Sequence, residues 1–231
     1  SYTSMLNYTL HDPTLMLLPD KLSTDANAIA VKKGNRQLLE QLNAVLDKFR
    51  EQGLLQQMEK RWLRSSLTPY EFPDLPSRGV DAPLLRVGIA ADREPICFLL
   101  EGRFAGLDCE LIERIAYELG MRVEYQNMKF GGLLTALQAA KVDLVIANMT
   151  HTAEREKKVD FTMDYFTNPQ TLLTRKELHG DDQSDWSLLS GKKIGVITGS
   201  VYDQLQQTLL PDTIPEYYDS YPDMVMSVQS G

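Results

Sequence analysis

From Leu85 onward, short apolar runs alternate with stretches of helical spacing, and this alternation most constrains the fold. LRVGIA (85–90), MRVEYQ (121–126), VDLVIA (142–147) and KIGVI (193–197) read as strands. Between and after them, 108–119, 133–140 and 201–209 place apolar residues on one helical face, with Gly120 stopping the first. A short strand over 215–218 and a helix from Asp223 follow. Strands separated by helix-length segments cannot be hairpins; they must run parallel, joined by right-handed crossovers. VDLVIA is apolar enough to be buried on both faces. The class is α/β.

The chain before Leu85 differs. Residues 28–31 read as a short strand ending at Gly34. Two amphipathic helices follow, over 37–49 and 54–63, broken at Gly53. Four of the eleven prolines then fall within 65–84, marking a linker or an extended surface crossing. A net charge of −8 and a pI near 5.0 argue against nucleic-acid binding, because phosphate neutralisation needs clustered Lys and Arg. No apolar run is long enough for a membrane-spanning helix. Cys97 and Cys109 lack zinc or thioredoxin spacing; two unpaired thiols are the default, with one bridge between them left open. The chain opens Ser1-Tyr2-Thr3 without an initiator Met, as a processed or excised piece would.

In open parallel sheets, ligands bind outside the carboxyl ends of the strands. That rule selects the loops 91–98, 127–132, 148–155 and 198–200. Thr198-Gly199-Ser200 leads from a strand into a helix, where free N–H groups favour an anion; Ser200 also reads as a plain N-cap. The loop from Asn148 to Arg155 offers an amide, hydroxyls and a guanidinium, the group best shaped to grip a carboxylate. Phe130 stands at a strand exit, as a ligand lid or as core. Catalysis has little to build on. His11, His151 and His179 lack metal-ligand spacing, and there is no GxSxG elbow or Walker loop. No cofactor, metal or catalytic set is expected.

Four segments carry a resemblance: LRVGIAADREPICF, GRFAGLDCELIERIAYELGMRVEY, FGGLLTALQAAKVDLVIANMTHTAEREKKVDFTMDY and GKKIGVITGS. Together they resemble the amino-acid-type periplasmic solute-binding proteins, the two-lobed modules of ABC importers. AIAVKKGNRQLLEQLNAVLDKFREQGLLQQMEKRWL resembles the same family's carboxyl-terminal end. The resemblance implies a type II periplasmic-binding-protein-like fold, two lobes with mostly parallel sheets and the segment order permuted. It implies 1–25 as the end of lobe 2, and 26–64 as a returning strand with helices packing on lobe 1. The linker is then 65–84, lobe 1 is 85–176, and 177–231 begins lobe 2. Two origins fit: the tail of one module followed by the head of a second, or a natural circular permutation. The tail could complete lobe 1 in cis or by exchange, which would give a segment-swapped dimer.

By resemblance, Arg155 pairs with a ligand carboxylate and Thr150 assists, while Asn148 stands where glycine is usual. Gly199 and Ser200 form the anion-binding helix start, and Phe130 is the aromatic lid. Arg93 replaces a tyrosine, Ala90 and Gly131 replace aspartates, and the amino-group aspartate has no counterpart. The resemblance therefore implies a small carboxylate-bearing ligand, an amino acid or dicarboxylate more anionic than a plain amino acid. It implies an extracytoplasmic or periplasmic location tethered to the inner membrane, with a permease or receptor as partner. Alternatives are a sensory module of a histidine kinase, a regulatory module of a lytic transglycosylase, and a cyclohexadienyl dehydratase.

Overall fold

The computed structural model describes residues 1–63, 69–178 and 186–231. The elements that build its main sheet are β3 (Ala30–Lys32), β4 (Leu84–Ile89), β7 (Arg122–Asn127), β8 (Leu144–Val145) and β9 (Val159–Phe161). The remaining strands are β1 (Leu15–Leu17), β2 (Ser23–Asn27), β5 (Phe98–Leu100), β6 (Arg103–Ala105), β10 (Phe166–Gln170), β11 (Leu173–Arg175), β12 (Lys193–Ile197) and β13 (Ile214–Tyr218). The helices are α1 (Tyr2–His11), α2 (Arg36–Glu51), α3 (Leu54–Trp62), α4 (Leu107–Glu118), α5 (Leu133–Gln138), α6 (Ala153–Glu156), α7 (Tyr202–Leu209) and α8 (Tyr221–Ser230).

The five-stranded sheet has the order β7-β4-β8-β3-β9. β4 runs parallel to both β7 and β8, whereas β3 is antiparallel to β8 and β9. A strand from the first 35 residues thus sits inside a sheet otherwise built after residue 83. The VDLVIA run forms only a two-residue ladder, Leu144–Val145, because just two register pairs link it to each neighbour. Val142, Ile146 and Ala147 are nevertheless buried.

Asn35 caps α2 by accepting from the Leu38 N–H at 3.3 Å. Gly53, at φ +69°, turns the chain into α3. The two helices bury Leu42, Val45, Leu46, Phe49, Leu55, Met58 and Trp62 in one core with α4 and β4. Glu110 of α4, 1% exposed, is the polar joint within this apolar packing. It accepts from Arg61 at 2.5 Å, from Trp62 Nε1 at 2.7 Å and from Arg114 at 2.9 Å. Of the proline-rich stretch, residues 69–83 are described; 64–68 are not. Tyr70 stacks at 5.4 Å on both Trp62 and Phe98, so this crossing is packed against the core.

A second unit contains β12 parallel to β13, β1 antiparallel to β11, and helices α1, α7 and α8. β2 pairs antiparallel with β10. The hairpin β5–β6 and the short pairs β1–β11 and β2–β10 were not legible as strands. Their residues, such as STDAN and FTNPQ, lack apolar alternation. One apolar cluster spans both units, joining Leu133, Ala136 and Val145 to Met5, Ile197, Tyr221 and Met224. The edges of β11 and β12 that are unpaired among the described residues face a groove of about 620 Å³, lined in part by Thr174, Arg175, Ile194, Gly195 and Val196.

Candidate functional site

The turn after β4 is set by backbone bonds across five residues. Arg93 N–H donates to the Cys97 carbonyl at 2.9 Å, and Cys97 N–H donates back at 2.8 Å. This places the Arg93 guanidinium, 4% exposed, 4.3 Å from the Phe130 ring centroid and 4.8 Å from that of Tyr221. One donor, Nη1, reaches the Ala147 carbonyl at 3.2 Å. Nε and Nη2 are buried without a partner, and Asp92 Oδ1 lies 3.6 Å from Nε, too far for a good hydrogen bond. A buried cation with unpaired donors is a strong site for an anion.

Arg155 approaches the same aromatic ring, 5.5 Å from its centroid. Thr152 caps the short helix α6, accepting from the Arg155 N–H at 3.2 Å, and this orients the side chain. Arg155 Nη1 donates to the Thr150 carbonyl at 2.7 Å, and Nη2 donates to the Gly199 carbonyl at 3.1 Å. Burial, followed by repulsion from Arg93, pushes its pKa down to about 10. The group therefore remains charged at neutral pH. Phe130, 6% exposed, has both guanidiniums within 5.5 Å of its ring centroid; it is both core and part of the site.

Asn148 adopts φ +48°, a left-handed backbone that Asn tolerates and that explains why glycine also suits this position. Its N–H donates to Asp108 Oδ2 at 2.7 Å, and its side-chain oxygen accepts from Asn168 at 3.3 Å. Asp108 also accepts from the Tyr165 hydroxyl at 2.7 Å. Burial raises the Asp108 pKa to about 6 despite those bonds. The Thr150 hydroxyl is engaged, donating to Asp25 Oδ2 at 3.3 Å.

The helix-start loop departs from expectation. Ser200 N–H donates to Ile197 and Thr198 N–H to Tyr218, so these two amides are not free for an anion. Nor is Ser200 the N-cap of α7; that position is Val201, although Ser200 Oγ accepts from the Tyr202 N–H at 3.2 Å. Gly199 faces the site through its carbonyl, the acceptor for Arg155. Its backbone, at φ +76°, packs against Gly131, where an added Cβ would lie 3.0 Å from the Gly131 Cα. The structure thus brings together Arg93, Arg155, Phe130, Thr150 and Gly199, while Asn148 supports the loop and Ser200 turns to its own helix.

His151 lies apart from this cluster. It bonds Glu156 at 2.8 Å and Asp164 at 3.2 Å and stacks near Phe161. Burial pulls its pKa down, but those two carboxylates prevail and hold it above the usual histidine value. His179 lies outside the described residues. Sequence reasoning missed Asp25, Asp92, Tyr202 and Tyr221. Asp92 Oδ2 accepts from the Tyr221 N–H at 3.1 Å, and the two tyrosine hydroxyls are 2.6 Å apart. No local spacing announces them: Asp25 meets Thr150 from 125 residues away.

A family model for the bacterial extracellular solute-binding proteins, family 3, matches residues 85–211. The chain belongs to this family. It is 35% identical over 128 residues to the arginine-binding extracellular protein ArtP of Bacillus subtilis, covering 55% of this chain and 49% of that protein. It is 30% identical over 161 residues to an L-arginine-binding protein of Pseudomonas aeruginosa, covering 68% and 61% of the two chains. The chain therefore spans about half to three fifths of these relatives' lengths. An ancestral amino acid-binding protein, AncCDT-1, described as a precursor of cyclohexadienyl dehydratase, aligns with TM-score 0.60 at 29% identity. That alignment covers 81% of this chain and 70% of that one. The arginine-bound substrate-binding protein AbpA of Streptococcus pneumoniae aligns with TM-score 0.60 at 28% identity, covering 64% of each chain.

Proposed function

We propose that this chain is the ligand-binding part of an extracytoplasmic solute-binding module, serving an amino-acid ABC transport system through a membrane permease. It holds a small carboxylate-bearing solute between two lobes and has no catalytic role. The observation that carries this reading is the pair of buried guanidiniums, Arg93 and Arg155, against one Phe130 ring, with Arg93 Nε and Nη2 unpaired. Two like charges brought together in an apolar site repel; an anion between them relieves that repulsion and fills the unpaired donors. The relatives named for arginine bind a solute that itself carries a carboxylate. By the resemblance, Arg93 replaces a tyrosine and adds a cation, which favours acidic amino acids or dicarboxylates over basic ones. Asp25, beside Thr150, offers a counter-charge for a ligand ammonium.

The lobes we infer depart from the sequence divisions at β11 (Leu173–Arg175), assigned there to lobe 1 and here to lobe 2 through its pairing with β1. Lobe 1 is the five-stranded sheet with α2 to α6, and lobe 2 is the second unit with α1, α7 and α8. Supporting this division, β2 and β10 connect the two parts, as hinge strands would. Thermal melting against amino acids and dicarboxylates tests the reading. A ligand at about 100 times its Kd adds roughly 2.7 kcal/mol of stability. A shift with glutamate, aspartate or a dicarboxylate, lost in Arg155→Ala, is expected. A shift with arginine or lysine alone would overturn the anionic assignment, and no shift with any carboxylate would overturn the binding role.

A further inference from the structure

Cys97 and Cys109 are 1% and 2% exposed, and their sulfurs lie 3.3 Å apart. The backbone around them is already locked. Leu107 N–H donates to the Pro95 carbonyl at 3.1 Å, and Asp108 N–H to the Ile96 carbonyl at 3.0 Å. Gly106, at φ +115°, lets the two segments close so tightly that an added Cβ would fall 2.3 Å from the Ile96 oxygen. The start of α4 is therefore clamped onto the turn that carries Cys97, and this holds the two sulfurs in contact. Disulfides require this pre-alignment and persist in oxidising, extracellular surroundings, the setting of this family.

We propose that Cys97 and Cys109 form a disulfide that braces the ligand site. The bond would join the Arg93–Cys97 turn, which positions the Arg93 guanidinium, to the residue after Asp108, which fixes the Asn148 loop. In the reaction each thiol gives up its proton, and the pair gives up two electrons as the S–S bond forms. A small-molecule or protein disulfide is the oxidant; its S–S bond breaks and it leaves as two thiols. A thiolate must attack, and both sulfurs are sealed from solvent in the folded chain. The bond therefore forms in the unfolded chain or on local opening, and it resists mild reductants afterwards.

The test is to refold the chain in a glutathione redox buffer, unfold it in guanidinium and label free thiols with a maleimide. The expected product carries no label, and its mass is lower than that of the reduced chain by two hydrogen atoms. A proteolytic fragment should link the two cysteines. Its melting temperature should exceed that of the fully reduced chain by roughly 5–10 °C. The double variant Cys97→Ala/Cys109→Ala should melt identically in both buffers. Amide exchange at Arg93 and Cys97 should slow on oxidation. Two maleimide-reactive thiols, or two glutathione adducts in place of the link, would overturn the proposal. So would a linked chain with unchanged melting temperature and exchange, because the bond would then brace nothing.

Discussion

Arg155 makes two hydrogen bonds to backbone carbonyls, Thr150 in one loop and Gly199 in the other unit. Its replacement by alanine removes both and, on the proposed function, the ligand's counter-charge. Loss of a desolvated charge partner typically weakens binding by about 2–5 kcal/mol, which titration calorimetry with the responding ligand would read. Asp108 makes a pH prediction. Its folded pKa of about 6 exceeds the ordinary 3.8, so the folded state holds the proton more tightly than the unfolded. This contribution is fully present below pH about 4 and is lost as pH rises through about 6. At about 1.4 kcal/mol per unit, its size is on the order of 3 kcal/mol. Asp108→Asn should flatten the stability profile between those limits, measured by urea unfolding across pH. Residue types in the sequence exposed Arg155 and Phe130 as candidates, because a guanidinium or ring at a strand exit has recognisable chemistry; Arg93 came from resemblance alone. Asp25 and Tyr221 escaped because only the tertiary fold makes them neighbours.

The same contrast holds for elements. Long periodic helices such as α2 and α3 were legible because one buried face repeats every turn. The short strands β1, β2 and β11 carry no such pattern; their pairing comes from distant partners. Glu110 ties α3 to α4 where periodicity says nothing of a buried charge. Glu110→Ala strips acceptors from Arg61, Trp62 and Arg114, and should cost about 3 kcal/mol in chemical denaturation. Strands β4 and β12 offer a matched comparison. β4 is paired on both sides, by β7 and β8, whereas β12 is paired only with β13 among the described residues. Amides of β4 should exchange only on global unfolding. Alternate amides of β12, those aimed at the groove, should exchange far faster.

For the whole molecule, the α/β class and the presence of a parallel sheet could be read from strand–helix alternation. Resemblance alone implied a returning strand on lobe 1, and its place between β8 and β9 was not legible, because no local rule links residues 30 and 145. One apolar cluster runs through both units, so calorimetry should record a single cooperative transition. Contact between the units is close: an added Cβ at Gly131 would lie 3.2 Å from the Thr198 carbonyl oxygen. Gly131→Asp sets a carboxylate against that oxygen and should part the units, seen as a larger radius of gyration in solution scattering.

The Arg155–Gly199 bond also bears on kinetics. With that bond made and Gly131 seated against Gly199, both guanidiniums are buried, Arg93 at 4% and Arg155 at 9% exposure. On the proposed function, ligand must wait for the units to separate, so capture is gated. Its observed rate should climb with concentration and then level off at the opening rate, and every bond that holds the gate shut lengthens the wait as well as the stay.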